Sequence, residues 1–262
     1  MIIDFHTHAF PDSLAEKAII ALEAGCNCKA FHNGKVSSLL KSMDEAGIDK
    51  AVICSIATKP AQFEPILEWS KNIVSDRIIP LLSVHPDDER ALEKIKIVHE
   101  EGFKGIKLHP YYQKFVLDEE RMFKFYEEVA KYDLLLVSHT GFDIAFPKDR
   151  IADPVRIVNV YKKIPELKLI STHLGSWEDW QEVEKHILGK NIYVETSFAF
   201  ELIDKETALR ILNNHPADYL IFGTDSPWTD QKKELSMLRS LNLDKTLEDK
   251  ILYKNALTLL GL

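Results

Sequence analysis

The sequence predicts an α/β protein of the (β/α)8 barrel class, and three observations lead to this prediction. Short apolar, β-branched runs occur eight times along the 262 residues, a pattern typical of buried parallel strands. Segments with helical spacing and charged faces separate these runs, as in a barrel whose strands are each followed by a helix. No glycine-rich phosphate loop follows the first run, which counts against a doubly wound open sheet.

Each predicted strand is a short run, and most of the runs end at a polar residue. The eight strands are predicted at residues 1–8, 51–57, 78–85, 103–109, 134–139, 167–173, 192–197 and 219–225. Helices are predicted at residues 39–46, 87–101, 118–132, 153–163, 176–188, 204–214, 232–241 and 247–260. Several helical segments begin with Asp or Ser, which commonly cap helix N-termini. We expect one domain over residues 1–262, with an insertion at about residues 10–35 between the first two strands.

Composition and charge argue against several classes of function. Lys and Arg number 33 against 41 Asp and Glu, so the formal net charge is -8, and a basic face for nucleic acid or anionic lipid is not expected. No apolar run approaches the roughly 20 residues that span a bilayer, and the first residues lack the basic stretch of a signal peptide. Three cysteines suit a reducing compartment. We therefore expect a cytoplasmic protein without nucleic-acid or membrane partners, with Cys26, Cys28 and Cys54 as inert thiols.

Six of the ten histidines lie at the ends of predicted strands, where the active site of a (β/α)8 barrel forms. They are His6, His8, His85, His109, His139 and His173. His6 and His8 are two residues apart, so their side chains point to the same face of a strand. Asp225 ends the eighth strand, which neighbours the first when the barrel closes. Histidines and a carboxylate can form a metal shell that leaves room for water, as in catalytic zinc sites.

Four segments resemble, in order, the motifs of the amidohydrolase superfamily. MIIDFHTH at residues 1–8 is similar to the D-x-H-x-H motif of strand 1, and SHTG at 138–141, STHLG at 171–175 and FGTDSP at 222–227 are similar to the motifs of strands 5, 6 and 8. The closest resemblance is to the amidohydrolase-2 branch, which includes aminocarboxymuconate-semialdehyde decarboxylase, resorcylate-type decarboxylases and pyrone-dicarboxylate lactonase. The resemblance covers essentially the whole chain and is specific for the superfamily, but not for a substrate.

The resemblance implies one divalent metal ion held by His6, His8, His139 and Asp225. Nitrogen and oxygen ligands favour Zn²⁺, although Mn²⁺, Fe²⁺ and Co²⁺ also fit. We expect Asp225 and His173 to handle protons, because the strand-6 histidine of this branch lies close to the water or substrate. The implied enzyme hydrolyses a small, carboxylated substrate with metal-activated water, or decarboxylates it without oxidation at the same site. A homodimer is expected from the resemblance alone.

Loop residues near the strand ends are candidate substrate contacts. Lys107, His109 and Tyr111 lie at or just after the end of the fourth strand, Arg150 follows the fifth strand, and Trp228 follows Asp225. Cations and aromatic rings beside a metal suit a small carboxylated substrate.

A two-metal phosphodiesterase or nuclease of the TatD type is the alternative hypothesis. TatD-like nucleases have a Glu on strand 4 and another before the strand-8 Thr-Asp pair, whereas this sequence has GIKLHP at 105–110 and Gly223 at these places. Lys107 and His109 are two residues apart, so both side chains point into the barrel. A site in which carboxylated Lys107 bridges two metal ions therefore stays an open alternative. A non-catalytic barrel that binds a small molecule or a partner is the third hypothesis, disfavoured because inward imidazoles without a metal are costly to bury.

Overall fold

A closed ring of eight parallel strands forms the centre of the molecule. The computed structural model describes all residues from Met1 to Leu262. The strands are β1 (Ile3–Thr7), β2 (Lys50–Cys54), β3 (Ile78–Leu81), β4 (Gly105–Leu108), β5 (Leu135–Ser138), β6 (Lys168–Ser171), β7 (Tyr193–Glu195) and β8 (Leu220–Ile221). Ladders join β1 to β3 and β4 to β8 in chain order.

Two sets of backbone hydrogen bonds close the ring between these ladders. Lys107 N in β4 donates to Leu82 O, just after β3, at 2.8 Å. Phe5 N in β1 donates to Phe222 O, just after β8, at 2.9 Å. The predicted (β/α)8 barrel is therefore confirmed.

Helices separate the strands and surround the ring. They are α1 (Asp12–Cys26), α2 (Val36–Ala46), α3 (Phe63–Ile73), α4 (Ala91–Glu100), α5 (Pro110–Gln113), α6 (Glu120–Lys131), α7 (Pro154–Lys163), α8 (Trp180–His186), α9 (Lys205–Asn214), α10 (Gln231–Ser240), α11 (Lys245–Asp249) and α12 (Asn255–Leu260). Short 3₁₀ turns precede α3 and β8. None of the helices combines the length and the apolarity that a membrane crossing requires.

Local sequence explains where several helices begin and end. Asp153 and Asp204 cap α7 and α9 with their carboxylates, which accept from Val155 N at 3.0 Å and Thr207 N at 2.9 Å. These bonds satisfy backbone donors that have no partner within the helix. Gly47 ends α2 with φ of +72°, a conformation that glycine adopts without a steric penalty.

Two apolar layers stabilise the barrel. Buried residues from six strands, including Phe5, Val52, Leu135 and Ile170, form one cluster, which must lie inside the ring because opposite strands meet only there. A larger cluster of 51 buried residues packs the strands against the helices. The strand ends above the inner cluster are therefore held rigidly enough to position a site.

Two expectations about local structure are wrong. Residues 247–260 do not form one continuous helix, because a π-helical turn (Lys250–Lys254) separates α11 from α12. Cys26 and Cys28 form a disulfide, whereas free thiols were expected. Asn27 between them has φ of +50°, which turns the chain and brings the two Cα atoms to 5.2 Å. Cys54 is a free, buried thiol.

Candidate active site

A cavity of about 380 Å³ opens at the carboxyl ends of the strands. Its volume lies in the range of small-molecule sites. All the predicted metal ligands and proton-handling residues line this cavity, namely His6, His8, His139, His173 and Asp225. Lys107, His109 and Trp228, three of the predicted substrate contacts, also line it.

Three of the four predicted ligands come together between the end of β1 and the segment that follows β8. The ligand atoms of His6, His8 and Asp225 all lie within 4.8 Å of one another. Asp225 Oδ1 is 3.0 Å from His8 Nε2 and 3.4 Å from His6 Nε2. The donor set is two imidazole nitrogens and one carboxylate oxygen, which suits a divalent transition metal.

The hydrogen bonds of His8 test whether a cation fits this group. His8 Nδ1 lies 2.8 Å from Cys54 O, and because a carbonyl only accepts, Nδ1 carries the proton. In a neutral imidazole the other nitrogen then presents a lone pair. That lone pair faces an oxygen of Asp225 at 3.0 Å, and two acceptors at this distance need a shared cation or proton between them. The residues therefore fit a bound metal ion.

Glu195 at the end of β7 contacts His6 at Nδ1, the ring nitrogen that does not face Asp225. Its Oε1 lies 3.2 Å from His6 Nδ1 and accepts from Ser197 Oγ at 2.6 Å and His173 N at 2.8 Å. Burial raises the pKa of Glu195 to about 7, against the opposing effect of the hydrogen bonds from Ser197. Burial and the neighbouring Lys107 lower the pKa of His6 well below its usual range. His6 is thus held as a neutral imidazole, the form that ligates metals.

His139, the fourth predicted ligand, lies in a neighbouring group. The ligand atoms of His139, His109 and Asp143 all lie within 4.8 Å of one another. The His139 and His109 rings stack with centroids 4.1 Å apart. His139 Nε2 is 2.9 Å from Phe142 O. The side chain therefore lies beside the group of His6, His8 and Asp225 rather than within it.

His173 connects these two groups through Ser197, whose Oγ also lies 3.0 Å from His6 Nδ1. His173 Nε2 is 3.0 Å from His139 Nδ1, and its Nδ1 is 3.0 Å from Ser197 Oγ. Burial is the main cause that lowers the pKa of His173 well below its usual range, and the neighbouring His139 lowers it further. A neutral imidazole with hydrogen-bonding partners at both nitrogens can pass a proton along a fixed direction.

Lys107 lies at the centre of the imidazoles. The side chain is almost fully buried, and Nζ lies 2.9 Å from His6 Nε2. Burial lowers the pKa of this amine, while Cys54 and Asp225 oppose the shift. It is the only Lys or Arg side chain that lines the cavity.

Backbone strain marks two of the site residues. Asp225 and His173 have φ of +68° and +59°, in the left-handed region that non-glycine residues rarely adopt. Each costs on the order of 1 kcal/mol or more, and such strain concentrates at functional sites. Asp225 is held there by its N–H, which donates to His6 O at 2.7 Å.

The remaining predicted substrate contacts lie outside the cavity lining. Tyr111 turns its hydroxyl to Asp149 O at 2.6 Å. Arg150 is half-exposed and forms a two-pronged ion pair with Asp179 at 2.8 and 3.1 Å. These partners engage the polar atoms of both side chains, and their assignment as substrate contacts stays a prediction.

Sequence reasoning overlooked Glu195, Ser197 and Asp143. Glu195 could have been found, because it is a charged residue within the apolar run at residues 192–197. The fit is close, since a Cβ at Gly223 would lie 2.0 Å from Glu195 Oε2 and 3.0 Å from His6 Cβ. Asp143 follows His139 by four residues, but a loop acid at that spacing carried no distinguishing pattern.

Comparison with known proteins places the chain in a family. The sequence model of the family described as amidohydrolase (Amidohydro_2) matches residues 3–262. A dihydroorotase of Helicobacter pylori (strain HPAG1) is 28% identical over 167 residues, which cover 59% of this chain and 48% of that protein. The chain thus spans about half the length of the curated relative.

Solved structures share the fold at low sequence identity. An uncharacterized TIM-barrel protein from Bordetella bronchiseptica superposes with a TM-score of 0.79 at 18% identity, covering 99% of this chain and 98% of the other. A 2,6-dihydroxybenzoate decarboxylase from Rhizobium gives a TM-score of 0.70 at 16% identity, with 99% and 98% coverage. The likeness to these structures supports the fold, and the family match over nearly every residue confirms the predicted relationship: the chain belongs to the amidohydrolase family.

Proposed function

We propose that this protein is a metal-dependent enzyme that hydrolyses an acyl bond of a small molecule, using His6, His8 and Asp225 to hold one divalent cation. The observation that carries the proposal is the contact between His8 Nε2 and Asp225 Oδ1 at 3.0 Å, with His8 Nδ1 already bonded to Cys54 O. His139 completes the ligand set if its ring turns from His109 toward this group.

The protein side chains divide the chemistry between them. When bound, a divalent cation polarises a carbonyl oxygen and lowers the pKa of water toward about 7. Asp225 then accepts the proton of the attacking water, because its carboxylate lines the cavity beside both Nε2 atoms. Lys107 attracts the negatively charged oxygen of the substrate, and His173 delivers a proton to the leaving group.

Non-oxidative decarboxylation is the second candidate. The fold relative from Rhizobium is a decarboxylase by name, and the same three groups serve that reaction. Lys107 would hold the carboxylate, and Asp225 or His173 would protonate the carbon from which carbon dioxide departs. Both reactions require the same ligands, so a substrate screen must separate them.

Elemental analysis tests the proposal directly. Wild-type protein loaded with Zn²⁺ and desalted should retain about one metal ion per chain, and His8→Ala should lose it. His99→Ala is the matched control, because His99 is exposed on α4 and should leave metal content unchanged. A His8→Ala protein with full metal and full turnover would refute the assignment.

Several finer points belong to the same proposal. Zn²⁺ is the proposed metal because the donors are imidazole nitrogen and carboxylate oxygen. A small molecule is the proposed substrate, since the cavity holds about 380 Å³. We also propose one functional domain over residues 1–262, a cytoplasmic location and a homodimer. Gel filtration of the metal-loaded protein with light scattering would test the homodimer. A screen of carboxylated lactones, amides and aromatic acids should identify the reaction.

A further inference from the structure

The cavity has two chemically different ends. Its charged lining side chains are Lys107, Asp143 and Asp225, and all three follow or belong to strand ends near the imidazoles. The lining residues contributed by the segment 10–28 and by the segment 56–69 include no charged side chain. One end therefore binds polar groups, and the other end is an apolar arm.

Helix α1 provides one wall of this arm. Leu14, Ala18 and Leu22 line the cavity, and their spacing of four places them in one row along the helix. Cys26 continues the same row and also lines the cavity. Ile20 lies on another face of the helix and is 60% exposed. The segment predicted as an insertion between the first two strands thus contributes an apolar surface to the site.

Helix α3 and the turn before it provide a second wall. Ile66 and Trp69 are partly buried on α3, and both line the cavity together with Ile56 after β2. Thr58 and Gln62 are the polar side chains of this wall, and neither carries a charge. A ligand charge in the arm would gain no ionic partner, and it would lose hydration where the partly buried Leu22, Ile66 and Trp69 cover it, which is unfavourable.

We propose that the substrate carries an uncharged apolar arm, aliphatic or aromatic, attached to the carbonyl or carboxyl group that reacts at the strand ends. This inference rests on the proposed function, and it names the substrate class of that site. Compact polar substrates, and dicarboxylates whose second carboxylate would enter the arm, are disfavoured. Burial of each methylene should improve binding by about fourfold until the arm is filled.

Straight-chain alkyl hydroxamates test the proposal without knowledge of the reaction. Their head group binds metal ions, and the chain length can be varied from acetohydroxamic to decanohydroxamic acid. Calorimetric titration of the Zn²⁺-loaded protein should give Kd values that fall about fourfold per methylene over the first several members. A series that ends in a second carboxylate should lose this improvement.

Two charge-introducing variants of α1 locate the effect. Leu22→Glu should reduce the preference for long over short chains by at least tenfold, whereas Ile20→Glu, on the exposed face of the same helix, should retain it. A Kd that is independent of chain length, or no binding of the longest member, would overturn the apolar arm even if metal binding and turnover are found. Conversely, chain-length-dependent binding by a protein that retains no metal would support the arm and refute the proposed function.

Discussion

Replacing Asp4 with alanine should destabilise the protein by about 3 kcal/mol, because one buried carboxylate joins β1 to the segment after β8. Asp4 accepts from Thr224 N at 3.0 Å, Thr224 Oγ at 2.6 Å, Gln231 Nε2 at 2.8 Å and His6 N at 3.2 Å. The side chain is fully buried, and burial raises its pKa to about 6 despite these bonds. The Thr224 hydroxyl can rotate toward another acceptor, whereas the buried N–H groups of Thr224, Gln231 and His6 lose the acceptor that they have in the wild type. Each buried donor without an acceptor costs at least about 1 kcal/mol.

Urea denaturation followed by circular dichroism measures this loss. Domains of ordinary stability have about 5–15 kcal/mol to lose, so Asp4→Ala should still fold and can be compared with wild type at equal m-value. Asp76→Ala is the control, because Asp76 is exposed. A loss below about 1 kcal/mol for Asp4→Ala, or an equal loss in the control, would show that this carboxylate does not hold the two segments together.

Two further substitutions probe the interior of the barrel. Lys107→Met should leave about one metal ion per chain but lower kcat/KM at least tenfold, because the Nζ that lies 2.9 Å from His6 Nε2 is lost; loss of a second metal equivalent would instead indicate a carboxylated lysine between two ions. Glu234 is fully buried, neither of its carboxylate oxygens has a hydrogen-bond partner, and burial raises its pKa well above the ordinary value of 4.5. The folded protein therefore retains a proton that the unfolded chain releases, so stability falls as the pH rises above 4.5. Glu234→Gln should be more stable than wild type near neutral pH, because the amide needs no proton to stay neutral, and the difference should shrink as the pH falls toward 4.5. A pH-independent difference, or the same gain in exposed Glu206→Gln, would contradict this explanation.

The candidate site could be predicted in part because strand ends are local features. His6, His8, His173 and Asp225 could be identified because they are polar residues at or near the ends of apolar runs. All four line one cavity. His139 shows the limit of this reasoning. Its place at the end of β5 was predictable, but its ring orientation depends on stacking with His109, which the sequence does not encode at any fixed spacing.

Arg150 and Tyr111 illustrate a second limit. Both residue types suit substrate recognition, and both follow the strand ends as predicted, Tyr111 on α5 and Arg150 in the loop after β5. Asp179 and Asp149 O nevertheless engage their polar atoms. A polar side chain near a strand end has several possible partners that differ little in free energy. Residue type and position alone therefore do not determine which partner is bound. The disulfide between Cys26 and Cys28 similarly depends on the left-handed conformation of Asn27.

The sequence by itself determined the order of the eight strands, most of the helices and the family, because periodicity, helix caps and metal-binding motifs depend on neighbouring residues. Helix α3 and the π-helical turn before α12 were not predicted. Only the tertiary structure decided which atoms meet. Cys54 O sets the tautomer of His8 across 46 positions of the chain, and Glu195 supports His6 across 189 positions. The apolar arm also required the folded chain, because α1 and α3 come to line a common cavity only when the barrel closes around its core.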